Sequence, residues 1–542
     1  MRKISSCIGL LVCLNSISYA GTGKLFEVST SGQPGNVSFS LCLDGKAPLS
    51  CQHFNVDKLS LNIKTTMPNH VYPNAGIKIN TPNLEIANIG LVCKPISNGY
   101  CTFSVARHAP ASLTIQKKAV IEAPIQLTAI GYDMNAGLPL LAQSINSGLN
   151  WSLVPIPNIP TGAFNGTSCT GSGSAAICIA VGSNYDTSYP LLTQSTNGGA
   201  NWTVTDISNI PTGKFNAASC TGSGSKAICI AVGDNGNYNS FLAQSTNGGA
   251  SWATVNVANI RPTNLSSASC TGSGAEAICT AVGFSQDSNA VLIQSNDGGL
   301  NWSQVDISTS LGYFNGVSCT GSGATAICTA VGAIYPINPL LTQSTDGGKN
   351  WSVVTLPGML AGFLYASSCT GTGSEAICTA VGGNFGDGYP LLAQTTNGGA
   401  DWSVVSILNI PKGIFYSASC TGAGATAICT ANGTTTDGNP ILVQSRDGGA
   451  HWAVVAIPNI SAGYFQGASC TGSGTSAICT AAGATATQDG YPLLAQTRDG
   501  GVSWSVVDIP NMPLGSFSGS GSSQPSYALS LQNDRARQGL KH

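Results

Sequence analysis

The sequence predicts an all-β protein, an eight-bladed β-propeller preceded by a small β-sandwich. A cysteine-bearing segment recurs seven times at intervals of 49 to 51 residues, and a tryptophan-bearing segment recurs eight times on the same period. Around them lie short apolar runs separated by glycine, asparagine and proline, with no helical period. A fixed period of this length is typical of repeats that pack on their neighbours. Four short strands per repeat are typical of a propeller blade.

The second repeat shows how the four strands of a blade are predicted. Residues 165–169 form the inner strand A, 176–181 strand B, 191–195 strand C and 202–207 the outer strand D. At the ends of the array, residues 124–156 supply only B, C and D elements, and residues 515–523 supply an A-like segment alone. We expect these two fragments to complete one composite blade, because closure of the ring leaves no open sheet edge.

The first repeated segment is Ser-Cys-Thr-Gly-x-Gly-x-x-Ala-Ile-Cys, with its two cysteines nine positions apart. Cysteines at the two ends of such a loop can face each other across the hairpin between strands A and B. Metal binding is the weaker alternative, since residues 119–523 contain a single histidine, His451. The expected bridges are Cys169–Cys178, Cys220–Cys229, Cys270–Cys279, Cys319–Cys328, Cys369–Cys378, Cys420–Cys429 and Cys470–Cys479.

The second repeated segment, which we call the tryptophan box, has the form Ser/Thr-x-Asp/Asn-x-Gly-x-x-Trp. We expect a β-turn between strands C and D, in which the Asp or Asn side chain accepts backbone N–H bonds and the tryptophan packs between blades. The first box has Ser147 where the others have glycine. The structural residues are Asn146, Trp151, Asn197, Trp202, Asn247, Trp252, Asp297, Trp302, Asp346, Trp351, Asn397, Trp402, Asp447, Trp452, Asp499 and Trp504.

The tryptophan box resembles the Asp-box, or BNR repeat, of sialidases and related propellers, as in residues 344–351. The resemblance covers about residues 124–523 and implies a propeller of the sialidase-like superfamily. A sialidase holds its substrate's carboxylate with three arginines at the centre of the ring. Here residues 124–523 contain only Arg261, Arg446 and Arg498, and the last two lie in tryptophan boxes. The chain therefore resembles more closely the noncatalytic propellers, such as the photosystem II assembly factor, that act by binding proteins.

The first twenty residues predict a signal peptide, with Arg2 and Lys3 before a short apolar run and cleavage after Ala20. A lipid-modified Cys13 is a weaker alternative, because no small residue precedes it. The predicted domains are a leader (1–20), a sandwich (21–118), the propeller (119–523) and a polar tail (524–542). We expect a bacterial protein exported to the periplasm, the cell surface or the medium.

Cleavage of the leader would leave eighteen cysteines, an even number that favours disulfides in an oxidising compartment. In the sandwich the expected bridges are Cys42–Cys51 and Cys93–Cys101, although crossed pairings remain open. Only 8% of the residues are charged and the net charge is −2, which predicts neither a nucleic-acid partner nor an anionic membrane. We expect a monomer without a membrane span, a metal or a cofactor.

The loops that connect strand D to A and strand B to C are predicted to gather on one face of the ring, opposite the tryptophan boxes and cysteine hairpins. The repeats differ most in these loops, and aromatic residues increase in the later blades. Aromatic rings beside amides and hydroxyls suit sugar rings or a protein surface. The candidate binding residues are Tyr185, Tyr313, Asn315, Phe363, Tyr365, Tyr389, Tyr416, Tyr464 and Gln466.

These features favour an exported, noncatalytic binding or scaffold protein whose ligand is a protein or a carbohydrate. One alternative is a glycoside hydrolase that uses two of the aspartates in the B-to-C loops, at 186, 287, 387, 437 and 489, although Asp in such loops is usually a turn former. The two propeller glutamates, Glu276 and Glu375, lie in cysteine hairpins on the opposite face. A structural surface protein or adhesin is the other alternative.

Overall fold

The computed structural model describes residues 124–523, apart from positions 208, 256–262, 308–310, 357–360, 459, 461 and 487–489, together with nine strands between residues 23 and 117. The chain divides into two compact units, Met1–Ile121 and Glu122–His542. The predicted leader, the polar tail, Cys51, Cys93, Arg261 and Asp489 lie outside the described residues. Among the helices of the described part, none is long and apolar enough to cross a membrane.

The leading unit contains two sheets. Its strands are β1 (Gly23–Thr30), β2 (Val37–Cys42), β3 (Gln52–Val56), β4 (Ser60–Thr65), β5 (Val71–Ile79), β6 (Leu84–Ile89), β7 (Lys94–Pro95), β8 (Cys101–Ala106) and β9 (Ala111–Lys117). One sheet has the order β4-β1-β9-β6 and the other β3-β2-β5-β8-β7. Among the described strands of this unit, β1 and β9 are the one pair that runs in parallel. A sandwich requires two such sheets, and their packing face to face stays a prediction.

The second unit is an eight-bladed β-propeller, as predicted, with one four-stranded antiparallel sheet per blade. We number the blades 1 to 8, with the composite blade first. The strands of blades 1 to 4 are β10 (Leu127–Asp133), β11 (Leu138–Ser144), β12 (Ser152–Leu153) and β41 (Gly515–Ser522); β13 (Gly162–Thr170), β14 (Ile177–Asn184), β15 (Pro190–Ser195) and β16 (Thr203–Val204); β17 (Lys214–Thr221), β18 (Ile228–Asp234), β19 (Ser240–Ser245) and β20 (Ala253–Val255); β21 (Thr263–Thr271), β22 (Ile278–Ser285), β23 (Ala290–Ser295) and β24 (Ser303–Val305).

Blades 5 to 8 repeat the same arrangement. Their strands are β25 (Gly312–Thr320), β26 (Ile327–Ile334), β27 (Asn338–Ser344) and β28 (Ser352–Val353); β29 (Gly362–Thr370), β30 (Ile377–Asn384), β31 (Pro390–Thr395) and β32 (Ser403–Val404); β33 (Gly413–Thr421), β34 (Ile428–Thr435), β35 (Pro440–Ser445) and β36 (Ala453–Val454); β37 (Gly463–Thr471), β38 (Ile478–Thr485), β39 (Pro492–Thr497) and β40 (Ser505–Val506). In blades 2 to 8 a short 3-10 turn, such as Gly173–Ala175, connects strands A and B.

Blade 1 closes the ring through the pairing of the last strand with the first. Strand β41 lies antiparallel to β10, with Leu127 opposite Ser522 and Asp133 opposite Gly515. The sheet order β12-β11-β10-β41 therefore joins the two ends of the array in one blade. The composite blade predicted from the incomplete terminal repeats is present.

The outer strands are shorter than predicted. In blade 2 the predicted strand D covered residues 202–207, whereas β16 has only two residues, Thr203–Val204. The last backbone bond of this edge runs from Thr205 N to Leu192 O, at 2.9 Å. Beyond it Ile207 packs against the buried cluster around Phe215 of the next blade instead of extending the ladder. Short outer strands of this kind leave little edge for pairing with another chain.

The apolar core of the propeller consists of the interfaces between blades. One cluster joins Ile130 and Leu141 of blade 1 with Phe164, Leu191 and Trp202 of blade 2. Six phenylalanines of the inner strands are fully buried, at positions 164, 215, 314, 415, 465 and 517. Because each cluster needs residues from two blades, the repeats are stable only as neighbours in a ring.

The seven predicted propeller disulfides are present. In every one the two cysteines are opposite each other in the register of strands A and B, as for Cys169 and Cys178, with Cα atoms 4.1 Å apart. Blade 1 carries Leu127 and Ser522 at the equivalent positions. Seven disulfides indicate an oxidising environment of the kind that exported proteins encounter.

Candidate functional site

The two faces of the propeller have different constituents. On one, which we call the hairpin face, the tryptophan-box turn packs on the A-to-B hairpin of its own blade, as where Gly198 N donates to Ala176 O at 3.0 Å. On the other, the loop face, the D-to-A and B-to-C loops meet, as where Tyr185 N donates to Thr161 O at 2.8 Å. The position of each candidate residue follows from this division.

The tryptophan box of blade 2 shows the hydrogen bonding of these turns. Asn197 Oδ1 accepts bonds from Ser195 Oγ and Asn201 N, both at 3.0 Å. Ser195 Oγ in turn accepts from Gly199 N at 2.9 Å. The residue after the Asp or Asn has a positive φ, 73° at Gly198 and 58° at Ser147 of the first box. The first box therefore holds a serine in a conformation that glycine adopts more easily.

A glutamine that the sequence interpretation did not single out connects each box to the preceding blade. Gln394 of blade 6 accepts a bond through Oε1 from Trp452 Nε1 of blade 7 at 2.8 Å. Its Nε2 donates to Gly449 O of the same box, also at 2.8 Å. The tryptophan bond recurs in all eight boxes, at 2.5 to 3.2 Å, and Gln496 makes it across the ring closure to Trp151. The sequence contains a signal for this role, since a Gln directly precedes the Ser or Thr of the box in all eight repeats.

The Ser-Cys-Thr segment also connects neighbouring blades. Cys220 N donates to Ser168 Oγ of the preceding blade at 2.9 Å, and Thr170 Oγ1 donates to Gly222 O of the following blade at 2.6 Å. Equivalent threonine bonds follow around the ring to Thr471, which reaches Ser523 O at 2.9 Å. The repeated residues of the hairpin face are therefore engaged in holding the blades together.

Four boxes contain an aspartate whose pKa lies below its ordinary value of 3.8, namely Asp297, Asp346, Asp447 and Asp499. Burial is the largest single influence on each pKa and raises it, but the hydrogen bonds of the turn together outweigh burial. For Asp499 the bonds from Ser503, Thr497 and Val502 lower the pKa to about 2. These turns favour the ionised carboxylate.

This pKa shift predicts acid sensitivity. Because the folded-state pKa is lower than the unfolded-state value, the four carboxylates stabilise the fold above about pH 4 and lose this contribution as the pH falls towards 2. The matched control replaces all four by asparagine, the residue of the other four boxes: Asp297→Asn, Asp346→Asn, Asp447→Asn and Asp499→Asn. Urea unfolding midpoints between pH 5 and pH 2 should fall less steeply in this variant. Equal slopes in the two proteins would contradict the prediction.

On the loop face, the residue after the buried Phe or Leu of strand A is a β-bulge. In blades 2, 3 and 5 this residue is an asparagine whose Nδ2 donates to the inner strand of the next blade: Asn165 to Phe215 O, Asn216 to Leu265 O and Asn315 to Leu364 O, at 2.8 to 2.9 Å. Ser518 makes the corresponding bond to Phe164 O at 2.7 Å. Asn315, a candidate binding residue, thus has its amide nitrogen engaged between blades.

Four blades depart from this pattern: blade 4 has Ser266 there, without such a bond among the described residues, and three consecutive blades have larger side chains. At the same position blades 6, 7 and 8 have Tyr365, Tyr416 and Gln466, which form no such bond among the described residues. Residues of blades 6 and 7 form an aromatic cluster on the loop face. Phe363 lies 4.8 Å from Phe385 and 4.6 Å from Tyr365, which lies 5.6 Å from Tyr416, between ring centroids. Burial, with smaller contributions from Tyr416 and Tyr313, raises the pKa of Tyr365 above its ordinary value of 10.0.

The candidate aromatics differ in their exposure. Tyr313 of blade 5 lies 6.0 Å from Tyr335. Tyr185 is 57% exposed and Tyr389 is 40% exposed, the latter with Lys412 Nζ 5.8 Å from its ring centroid. Phe363, by contrast, is only 9% exposed and acts as a lid on the blade core. The loop face thus carries exposed, half-buried and buried rings.

A cleft of about 280 Å³ opens between blades 7 and 8. It is lined by Tyr416, Thr434, Gly438, Gly463, Tyr464, Gln466 and Ala486. The candidates at 416, 464 and 466 are brought together here, whereas those at 185, 313 and 389 belong to other blades. None of the described lining side chains is charged.

Two of the loop aspartates that could act as catalytic carboxylates form hydrogen bonds within the loops. Asp186 accepts from Thr161 N at 3.0 Å and from Thr161 Oγ1 at 2.5 Å, and Asp387 accepts from Tyr389 N at 3.0 Å. Both therefore order loops. Glu276 and Glu375 are exposed on the 3-10 turns of the hairpin face.

The charged residues of the boxes are also on the hairpin face. Arg498 donates through Nε to Ser147 O at 3.0 Å. Arg446 occupies the equivalent position one blade earlier, in the turn between β35 and β36. Within the described ranges, no three His, Cys, Asp or Glu side chains converge in a way that would hold a metal ion.

Comparisons with known proteins find no matching family model and no matching curated protein. Similar solved structures include the BP39L lectin from Burkholderia pseudomallei, with a TM-score of 0.41, 13% identity, and coverage of 64% of this chain and 100% of the lectin. For YCF48 from Cyanidioschyzon merolae the TM-score is 0.37 and the identity 15%, with coverage of 64% of this chain and 96% of YCF48. For the GH74 xyloglucanase from Xanthomonas campestris the TM-score is 0.32 and the identity 14%, with coverage of 68% of this chain and 62% of the xyloglucanase. At these identities the choice of ligand or activity depends on the geometry of this chain's own faces.

Proposed function

We propose that the chain is an exported, noncatalytic binding or scaffold protein of the Asp-box type, which presents the loop face of its propeller to a protein or carbohydrate ligand in the periplasm or outside the cell. The observation that carries this proposal is the replacement of the inter-blade asparagine by Tyr365, Tyr416 and Gln466 in three consecutive blades. The leading unit would serve as an attachment or second binding module.

These replacements give up a hydrogen bond between neighbouring blades. An asparagine at this position satisfies a backbone carbonyl of the next blade, which is worth about 0.5–1.5 kcal/mol for a typical hydrogen bond. Tyr365 and Tyr416 provide no such bond, yet they add aromatic area to the face. Positions where a half-buried aromatic ring replaces a stabilising hydrogen bond are consistent with a recognition surface, because aromatic rings supply much of the contact area at such surfaces. The hairpin face, whose repeated side chains bond between blades, offers no comparable set.

The test uses a variant that restores the structural residue. In Tyr365→Asn/Tyr416→Asn, we expect binding to fall by about tenfold or more, while the unfolding midpoint is unchanged or higher. A glycan array and a pull-down with the mature chain first identify the ligand, and titration then compares the variants. The matched control is Leu149→Ala/Leu300→Ala, which removes exposed apolar side chains from the hairpin face.

Two outcomes would contradict the proposal. One is equal loss of binding in the hairpin-face control, which would place the ligand on the opposite side of the ring. The other is turnover: cleavage of a bound polysaccharide by the purified protein would show a glycoside hydrolase instead of a binding protein.

A further inference from the structure

Blade 7 differs from its neighbours at one buried position of strand B. The equivalent residues of the other disulfide-bearing blades are aliphatic and pack in the clusters between each blade and the next: Val181, Val232, Val282, Val331, Val381 and Ala482. Blade 7 has Asn432 there. A polar side chain thus replaces an aliphatic one in the interface between blades 7 and 8.

The bonding of Asn432 is incomplete. The residue is 0% exposed, and its Nδ2 donates to Gly467 O of blade 8 at 2.9 Å, whereas its Oδ1 has no hydrogen-bond partner. A buried amide oxygen without a donor disfavours folding, and an aliphatic side chain would avoid this. The unpaired oxygen therefore offsets the stability that the bond to Gly467 O contributes at this position.

The cleft lies at the loop-face end of the same interface. Thr434, two residues after Asn432 and on the same side of strand β34, lines the cleft, as does Gln466, which precedes Gly467. Through its bond to Gly467, Asn432 fixes the backbone beside Gln466. The anomalous buried amide and the cleft are thus parts of one local arrangement.

We infer that the cleft between blades 7 and 8 is a binding site for a neutral saccharide of about one ring, with Asn432 as a positioning residue beneath it. This inference rests on the proposed binding function and specifies its ligand. The cleft has a volume of about 280 Å³, just below the ~300 Å³ at which pockets for drug-sized molecules begin. Tyr416 and Tyr464 supply ring surfaces, and Thr434 and Gln466 supply donors and acceptors for hydroxyl groups.

The experiment titrates the mature full-length chain with methyl glycosides of glucose, galactose, mannose, fucose and N-acetylglucosamine. We expect at least one to bind, and we expect Tyr464→Ala and Gln466→Ala to weaken that binding by about tenfold or more. Asn432→Val restores the residue of the other blades. It should weaken binding to a similar extent while leaving the unfolding midpoint unchanged or higher, a combination that a purely structural role would not give.

The control is Tyr238→Ala, an aromatic residue in the B-to-C loop of blade 3, which lies outside the cleft and should bind as the parent does. If Tyr238→Ala abolishes binding and Tyr464→Ala does not, the cleft assignment is wrong although the loop face still binds. If no neutral glycoside binds, or only acidic saccharides bind, the inference is overturned. Unchanged affinity in Asn432→Val would overturn the positioning role.

Discussion

An eighth disulfide, introduced by Leu127→Cys and Ser522→Cys, should raise the free energy of unfolding by about 2–3 kcal/mol. The two positions are opposite each other in strands β10 and β41, as the cysteines are in the other blades. This bridge would close a loop that spans almost the whole propeller, for which chain entropy predicts a gain on the order of 5 kcal/mol. The loss of buried Leu127 and of the Ser469–Ser522 bond offsets part of this gain.

The single variants Leu127→Cys and Ser522→Cys are the controls, because neither can close the ring and both should be slightly destabilised. Urea unfolding of the oxidised double variant, with bridge formation verified by mass spectrometry, gives the comparison. A fully bridged double variant that is no more stable than the single variants would show that opening of blade 1 does not limit the stability of the propeller.

Replacement of Phe517 by alanine should lower the free energy of unfolding by about 3–5 kcal/mol, the usual range for a fully buried phenylalanine. Phe517 is 0% exposed and packs in the cluster that joins blade 1 to Ile478, Ala482 and Leu494 of blade 8. Its strand β41 belongs to blade 1 only through non-covalent contacts. We therefore also expect faster hydrogen exchange in β10 and β41.

Phe314→Ala is the matched control, since Phe314 has the same inner-strand position and burial in blade 5. Its loss of stability should be similar, but exchange in β10 and β41 should remain slow because the ring closure is intact. Equal acceleration of exchange in β10 and β41 in the two variants would contradict a special role for blade 1.

The repeats made much of this architecture predictable. Cysteines nine positions apart placed the bridges because the A-to-B hairpin is local. The incomplete repeats at the two ends predicted the composite blade, because a B, C and D set lacks only an A strand. The predicted strand D was too long. Ile207 packs against the core cluster around Phe215 of the next blade, a contact that the local sequence pattern does not specify.

The candidate site was predictable only in part. Aromatic enrichment in the later blades indicated the loop face, and the tyrosines at 365, 416 and 464 do lie in blades 6 to 8. Asn315 belongs to the same predicted set, whereas its amide nitrogen bonds to Leu364 O. Asn432 is not in that set, although the other disulfide-bearing repeats have valine or alanine at its position.

By itself, the sequence determined the number of blades, the closure of the ring, the seven bridges and the turn chemistry of the boxes, since each depends on residues close together in one repeat or on the count of repeats. The tertiary structure decided which side chains connect blades and which remain available on the loop face. It also decided where a cleft opens. These features depend on distances between atoms of neighbouring blades about fifty residues apart in the chain, such as Asn432 and Gly467, which no local pattern specifies.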